Sequence, residues 1–457
     1  MDPTLITSSL LVLRSIGSEP PLIKGRIPIL GVAFEWFYEP GAFLESIRKR
    51  NGWIYTLYMA GLIGITQVLT QGRVFSAPIF FAFLNKQLFG FSDATMDDNR
   101  FRDALNTKLS KMSQIVELLT ATYRGFVDET SGYNMYTASA TALFGPSFPI
   151  QKTFEPYIVF EENLLSYIRK VPRFLNPSGY NARDRTLEII GQFFTDDEKV
   201  AKSSELVREL REVFQRPEYG YTRPEDFAGY FLSIVFASKS NSVPAAFWYI
   251  AHIVSDVELK TEVENIIAAN YNKATGSFDW DELCRDELLV SCFKETARLM
   301  SNVTSGRYVT QDTILKVAAD PLNTGSDWKK SVKEYELHKG DSVLVIGNLI
   351  HWDPQAYPEP MRWIGKRFLE ENKGKLVMHA DEWRSYLPWG GGGHMCPGRH
   401  LALVEAVVQC VYILWYFDVE PIDKLPSMFI KHKYGTGVIR PDKPFNVTFK
   451  RRTIPLQ

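Results

Sequence analysis

The chain has 457 residues, 45% of them hydrophobic and 13% aromatic, and a formal net charge of −1. Near-neutrality without a basic tract argues against a nucleic-acid binder, and so apolar a composition lets the chain bury a large core and suits an apolar ligand cavity. No internal repeat, low-complexity run or Pro/Gly/Ser linker divides the chain, so residues 20–457 read as one large domain behind a short apolar segment, residues 1–19.

In that first segment Leu5 to Leu13 is apolar, yet it is interrupted by Thr7, Ser8 and Ser9 and is far shorter than the roughly 20 residues that span a bilayer. Ile54 to Leu69, with Tyr, Thr, Ile and Val around Gly61 and Gly64, predicts a β-hairpin. From Glu117 to Phe231 the polar–apolar rhythm is mostly helical and is broken at Pro146, Pro149, Pro172 and Pro177, which are expected to mark loops over a substrate channel. Phe231 to Val254 is strongly apolar and uncharged except for Lys239, and predicts a long central helix. Pro244 has no N–H for the carbonyl of Ser240, so the helix is expected to kink there. The freed carbonyl, the Ser240 hydroxyl and the Asn241 amide would then form a polar site for water or substrate within an apolar cavity. Glu295 and Arg298 lie three residues apart, on one helical face. Ser342 to Ile346 predicts a strand. The sum is a mainly α chain with a small β region.

Of the four cysteines, Cys284, Cys292, Cys396 and Cys410, none shows metal-finger spacing or a dense disulfide pattern, which points to a reducing compartment. Cys396 stands apart, because the loop Trp389-Gly-Gly-Gly-Gly-His-Met-Cys396-Pro-Gly398 precedes an apolar helical run, Leu401, Val404, Val408, Val411, Tyr412 and Trp415. Four glycines in succession let the backbone lie close against a flat cofactor. A cysteine at a helix N-terminus meets unpaired N–H groups and a positive dipole end, which stabilise a thiolate, the metal-binding form.

The spacing Trp389-x-x-Gly392-x-His394-x-Cys396-x-Gly398 resembles the haem-binding loop of the cytochrome P-450 superfamily. The resemblance implies the fold of that family, with haem b held between the central helix and the cysteine-loop helix and Cys396 as axial iron ligand. Trp389 stands where the family usually has Phe, and His394 where it usually has a basic residue. Glu295 and Arg298 match the family's E-x-x-R, and Asp353-Pro354 to Arg367-Phe368 matches its meander, so that Arg367 would complete a buried Glu295–Arg298–Arg367 network; Gly365 replaces the usual proline. Arg307 stands where the family often places a propionate-binding arginine, and His394 is a second candidate for the propionates. Along the central helix Ser240 and Asn241 occupy the positions of the family's usual acid and threonine, so the acid–alcohol pair is missing. They remain the expected catalytic pair, with Asn241 orienting water or substrate because an amide does not titrate.

The segment Ala237-Ser-Lys-Ser-Asn241-Ser-Val-Pro244-Ala-Ala-Phe-Trp248 resembles a branch of the superfamily that includes the sterol 7α-hydroxylases and prostacyclin synthase. Two chemistries stay open on that resemblance. One is a haem-thiolate monooxygenase that inserts one oxygen atom from O2 into a bulky apolar molecule (terpenoid, steroid-like or polyketide-derived) with electrons from a separate NADPH–cytochrome P-450 reductase. The other is a haem-thiolate isomerase or dehydratase that rearranges a peroxide without O2 or reductase. The likeness to fungal tailoring enzymes points to secondary metabolism. Pro20-Pro21 and Pro28 before Gly31 resemble the hinge that follows the membrane helix of microsomal relatives, and the resemblance implies a place on the cytosolic face of the endoplasmic reticulum membrane, with two alternatives open: residues 1–19 as the remnant of a truncated or alternatively started anchor, or attachment through surface patches.

Overall fold

The computed structural model describes residues 71–77, 143–168, 170–216, 224–318, 332–372, 385–428 and 436–453, together with Val68, Leu69, Leu88, Phe89, Thr137, Ala140, Thr141 and Val377. The expected hairpin and the N-terminal segment lie outside these residues, except that Val68 and Leu69, its predicted far end, are helical and buried. Helices predominate, as the sequence predicts, and the sheets are small and antiparallel.

The chain divides into two compact units, residues 1–81, 297–396 and 427–443 forming one, and residues 82–296, 397–426 and 444–457 the other. In the second unit, α1 (Ile150–Glu162) starts after Pro149, and α2 (Pro177–Phe194) takes Pro177 in its first turn, where a missing N–H costs nothing; the Asn176 side chain caps it by accepting the Gly179 N–H at 3.2 Å. All four prolines fall at helix breaks, as the sequence predicts: Pro146 lies in the turn at residues 145–149, Pro149 and Pro177 open helices, and Pro172 opens a short 3₁₀ turn, Arg173–Leu175. The central segment is two helices, α3 (Pro224–Ser240) and α4 (Ser242–Val254), and is followed by α5 (Val257–Ala269). α4 packs along α7 (Arg399–Tyr416), which is buried on almost every side by Val404, Val407, Val408, Val411, Leu414 and Trp415. Rings from α1, α2 and α3, among them Phe160, Phe193, Phe194 and Phe231, make this unit's core. A two-stranded ladder pairs β4 (Phe417–Pro421) with β6 (Val447–Arg451).

The first unit is built on β2 (Ser301–Val309), a nine-residue strand that the sequence did not suggest because five of its residues are polar. It pairs with β1 (Phe75–Ser76), with β3 (Ser342–Ile346, within the predicted bounds) and with β5 (Thr436–Val438). Arg307 lies opposite Val343 in this sheet, and Val309, Val343, Val345, Tyr357, Phe368 and Leu387 form the core beside it. The helix carrying Glu295 and Arg298 is α6 (Glu287–Met300).

Candidate functional site

In the first unit the cysteine loop is closed by its own backbone. Gly390 N–H donates to Leu387 O at 3.2 Å, Met395 N–H to Gly392 O at 3.2 Å, and Cys396 N–H to Trp389 O at 2.9 Å, with a 3₁₀ turn over Gly392–His394. Its glycines have reasons the sequence could not supply. Gly392 has φ +68, and a Cβ there would collide with the carbonyl of Leu69; one on Gly391 would lie 2.6 Å from the Leu69 side chain. The backbone thus lies close against residue 69, and only Gly393 faces open space. Ser301 Oγ donates to Pro388 O at 3.2 Å, and Arg307 reaches the Gly391 carbonyl with Nη2 at 3.3 Å while its Nη1 donates to Gly306 O at 2.8 Å. Arg307 is only 2% exposed, which excludes a surface role.

Cys396 is half-exposed, whereas Cys284, Cys292 and Cys410 are buried. Burial pushes the Cys284 thiol up to about 12, and those of Cys292 and Cys410 higher still, so these three are inert core thiols. The expected position of Cys396 at a helix N-terminus needs one correction: α7 begins at Arg399 with Gly398 as its cap, so the cysteine belongs to the loop three residues earlier. Trp389 and His394 are half-buried loop residues.

Glu295, Arg298 and Arg367 are all fully buried. Arg298 donates to the His351 carbonyl and lies 5.0 Å over the Tyr357 ring. Arg367 ties down the meander through the carbonyls of Pro358 (2.7 Å), Glu359 (3.2 Å) and Arg362 (3.1 Å), and the buried Gly365 makes the turn before it without the family's proline.

In the second unit the central helix breaks where Pro244 demands it. Asn241 is the single non-helical residue between α3 and α4, with φ −111 and ψ −47; its carbonyl accepts the Ala245 N–H at 3.0 Å. Ala237 is exposed and Ser233, Ile234 and Asn241 are half-exposed, one helical turn apart, while Ser238, Lys239 and Ser240 are buried. An open stripe therefore runs along the middle of a core helix. Ser240 departs from the expected water site. Its Oγ is turned away to α1, where it shares a 2.9 Å hydrogen bond with the Tyr157 hydroxyl, so the hydroxyl links two core helices. Lys239, the one charge the sequence leaves on this segment, is 2% exposed and turned to α7, where its partner charge is Glu405, itself 1% exposed; desolvation outweighs that attraction and pushes the amine down to about 7.

A sequence model described as Cytochrome P-450 matches residues 220–449, half of the chain. The chain belongs to the cytochrome P-450 family. Curated relatives match nearly end to end: mouse (Mus musculus) cytochrome P-450 7B1 is 24% identical over 98% of this chain and 95% of its own length. Rabbit (Oryctolagus cuniculus) cytochrome P-450 7A1 is 26% identical over 94% of each. Cholesterol 7-alpha-monooxygenase of Cricetulus griseus is 24% identical over 96% of this chain and 94% of its own length.

As a cytochrome P-450 the protein is a haem-dependent monooxygenase. Residues of the first unit fit that cofactor: a half-exposed cysteine on a tightly closed loop, and a guanidinium buried deeply enough to suit a propionate carboxylate. Three contributors escaped the sequence reading. Tyr157, Glu405 and His351 carry no local pattern, and each acquires its role from a partner remote in sequence.

Proposed function

We propose that this cytochrome P-450 hydroxylates a bulky, neutral, steroid-like molecule, with electrons from a separate NADPH-dependent reductase. The observation that carries the reading is the open stripe of the central helix. Ile234 and Ala237 are apolar, Ser233 and Asn241 are uncharged, and Lys239 is directed into the core toward Glu405. Such a face suits an apolar ligand with a single hydrogen-bonding point. The names of two relatives, a cholesterol 7-alpha-monooxygenase and a 24-hydroxycholesterol 7-alpha-hydroxylase, support the same class.

In this reading Cys396 is the axial ligand, Trp389, Gly392 and Gly398 shape its loop, and Arg307 and His394 hold the propionates. When bound, haem activates dioxygen for insertion of one atom. Glu295, Arg298 and Arg367 form the supporting network, a role their complete burial supports. Asn241 orients a water or a substrate hydroxyl: its Nδ2 lies at the outer limit of a hydrogen bond, 3.5 Å from Ala237 O, so the amide can exchange that contact for a better one. Ser240 contributes the carbonyl that Pro244 cannot bond, while its hydroxyl fixes the helix break to α1. Residues 20–457 form one haem domain in this reading.

The catalytic domain lies on the endoplasmic reticulum surface. Among the described residues no helix is long and apolar enough to cross a membrane. The 3₁₀ turn presents Phe174 at 80% and Leu175 at 66% exposure beside Arg173, a combination suited to an anionic lipid interface. Incubating the purified protein with steroid-like substrates, with and without reductase and NADPH, tests the reaction. A hydroxylated product that requires both is expected, with Asn241→Ala releasing more peroxide per electron consumed. Full turnover of a peroxide substrate in their absence would replace the proposal with an isomerase.

A further inference from the structure

Arg298 is linked to the segment leading into the cysteine loop by two buried side chains. Its guanidinium donates to the carbonyl of His351, and the Nε2 of the same histidine accepts the Leu387 N–H at 2.8 Å. In parallel it lies over the ring of Tyr357, whose hydroxyl donates to Ser385 O at 3.2 Å. Ser385 and Leu387 are thus fixed two residues apart, one by its carbonyl and one by its N–H. Leu387 in turn opens the loop, since its carbonyl accepts the Gly390 N–H and the chain closes nine residues after Leu387 with Cys396 N–H on Trp389 O.

The imidazole is fully buried. A ring nitrogen that accepts a hydrogen bond carries no proton, so His351 is neutral with its proton on Nδ1. Among the described residues Nδ1 has no hydrogen-bond partner. Burial, aided by the Arg298 charge, pushes the histidine down to about 3, so the ring stays an acceptor throughout the physiological range. A leucine would fill the same apolar surroundings without an unsatisfied Nδ1–H. What the histidine supplies and a leucine cannot is the acceptor for Leu387.

We infer that His351 is a positioning residue for the axial cysteine: it transmits the placement of Arg298 to the start of the loop and so sets how Cys396 is offered to the iron. The inference rests on the reading of Cys396 as ligand, and the test keeps the two apart. Purified holoprotein of His351→Leu, His351→Gln and Cys396→Ala is compared with wild type in two measurements, the reduced carbon monoxide spectrum and the rate of haem transfer to an excess of apomyoglobin. Cys396→Ala is expected to lose the long-wavelength thiolate band entirely; if it keeps that band, the ligand reading falls whatever His351 does. His351→Leu is expected to shift a large fraction of the spectrum to the short-wavelength form and to release haem about tenfold faster, the scale of one lost buried acceptor. His351→Gln, whose Oε1 can reach the same N–H, should return both readouts to near wild type. A folded Leu variant with the wild-type spectrum and release rate overturns the inference, as does a folded Gln variant as defective as Leu. Should the Leu variant not fold, the Gln variant decides alone: wild-type readouts support the acceptor role, and loss of the thiolate band refutes it.

Discussion

Lys239 and Glu405 offer a quantitative test of how this core is held together. Holding the amine neutral down to about 7, when it ordinarily titrates at 10.5, corresponds to a cost of about 5 kcal/mol, even with the attraction of Glu405 included. The sign follows from proton binding. Between about pH 7 and 10.5 the unfolded chain holds a proton that the folded chain lacks, so stability rises with pH across that window, and the penalty is fully present below pH 7. Replacing both groups by apolar or neutral equivalents of similar volume, Lys239→Met with Glu405→Gln, is therefore expected to stabilise the protein. Comparable replacements of buried pairs yield about 1–4 kcal/mol. For a chain of this length the unfolding entropy is roughly 1 kcal/mol per degree, so the melting midpoint at pH 6 should rise by about 1–4 °C. At pH 9 the gain should fall by more than half. Lys239→Met alone leaves the Glu405 carboxylate buried without its cation, and should gain less or lose stability. The assay is thermal unfolding of the holoprotein followed by circular dichroism at pH 6 and pH 9. A double variant that melts below wild type at pH 6, or one whose gain is equal at both values, would refute the dominance of desolvation.

The Tyr157–Ser240 contact predicts a coupling of about 1 kcal/mol in a double-mutant cycle of Tyr157→Phe and Ser240→Ala, read from urea midpoints; strict additivity would mean the two hydroxyls do not meet. His252, stacked on Trp248 and pushed down to about 3 by burial, ordinarily titrates at 6.5, so its contribution is intact above 6.5 and is lost as pH falls, about 2 kcal/mol at pH 5. His252→Phe should accordingly flatten the loss of stability between pH 7 and pH 5, and an unchanged pH profile would count against this origin. Arg307→Leu should weaken haem retention by at least tenfold without unfolding the chain, measured by haem transfer and circular dichroism; wild-type retention would remove Arg307 from the propionate site.

What the sequence determined by itself is whatever is covalent or contiguous. Pro244 lacks an N–H in any fold, and the helix duly breaks at Asn241. The apolar repeat after Cys396 is confined to one segment, and all six residues read from it are buried on α7. The alternation at Ser342–Ile346 likewise needed no partner to be recognised. Direction was decided only in three dimensions. The sequence put the Ser240 hydroxyl beside Asn241, and packing against α1 turned it to Tyr157. Lys239 read as a lone charge on an apolar helix until α7 brought Glu405 to it. The glycines before Cys396 suggested room for a cofactor, whereas Gly391 and Gly392 are required by the approach of Leu69. β2 went unread because its residues are mixed in polarity, and its three antiparallel partners come from distant segments. In each case the deciding energy is desolvation or a hydrogen bond to a group far along the chain, and a local pattern carries no trace of such a partner.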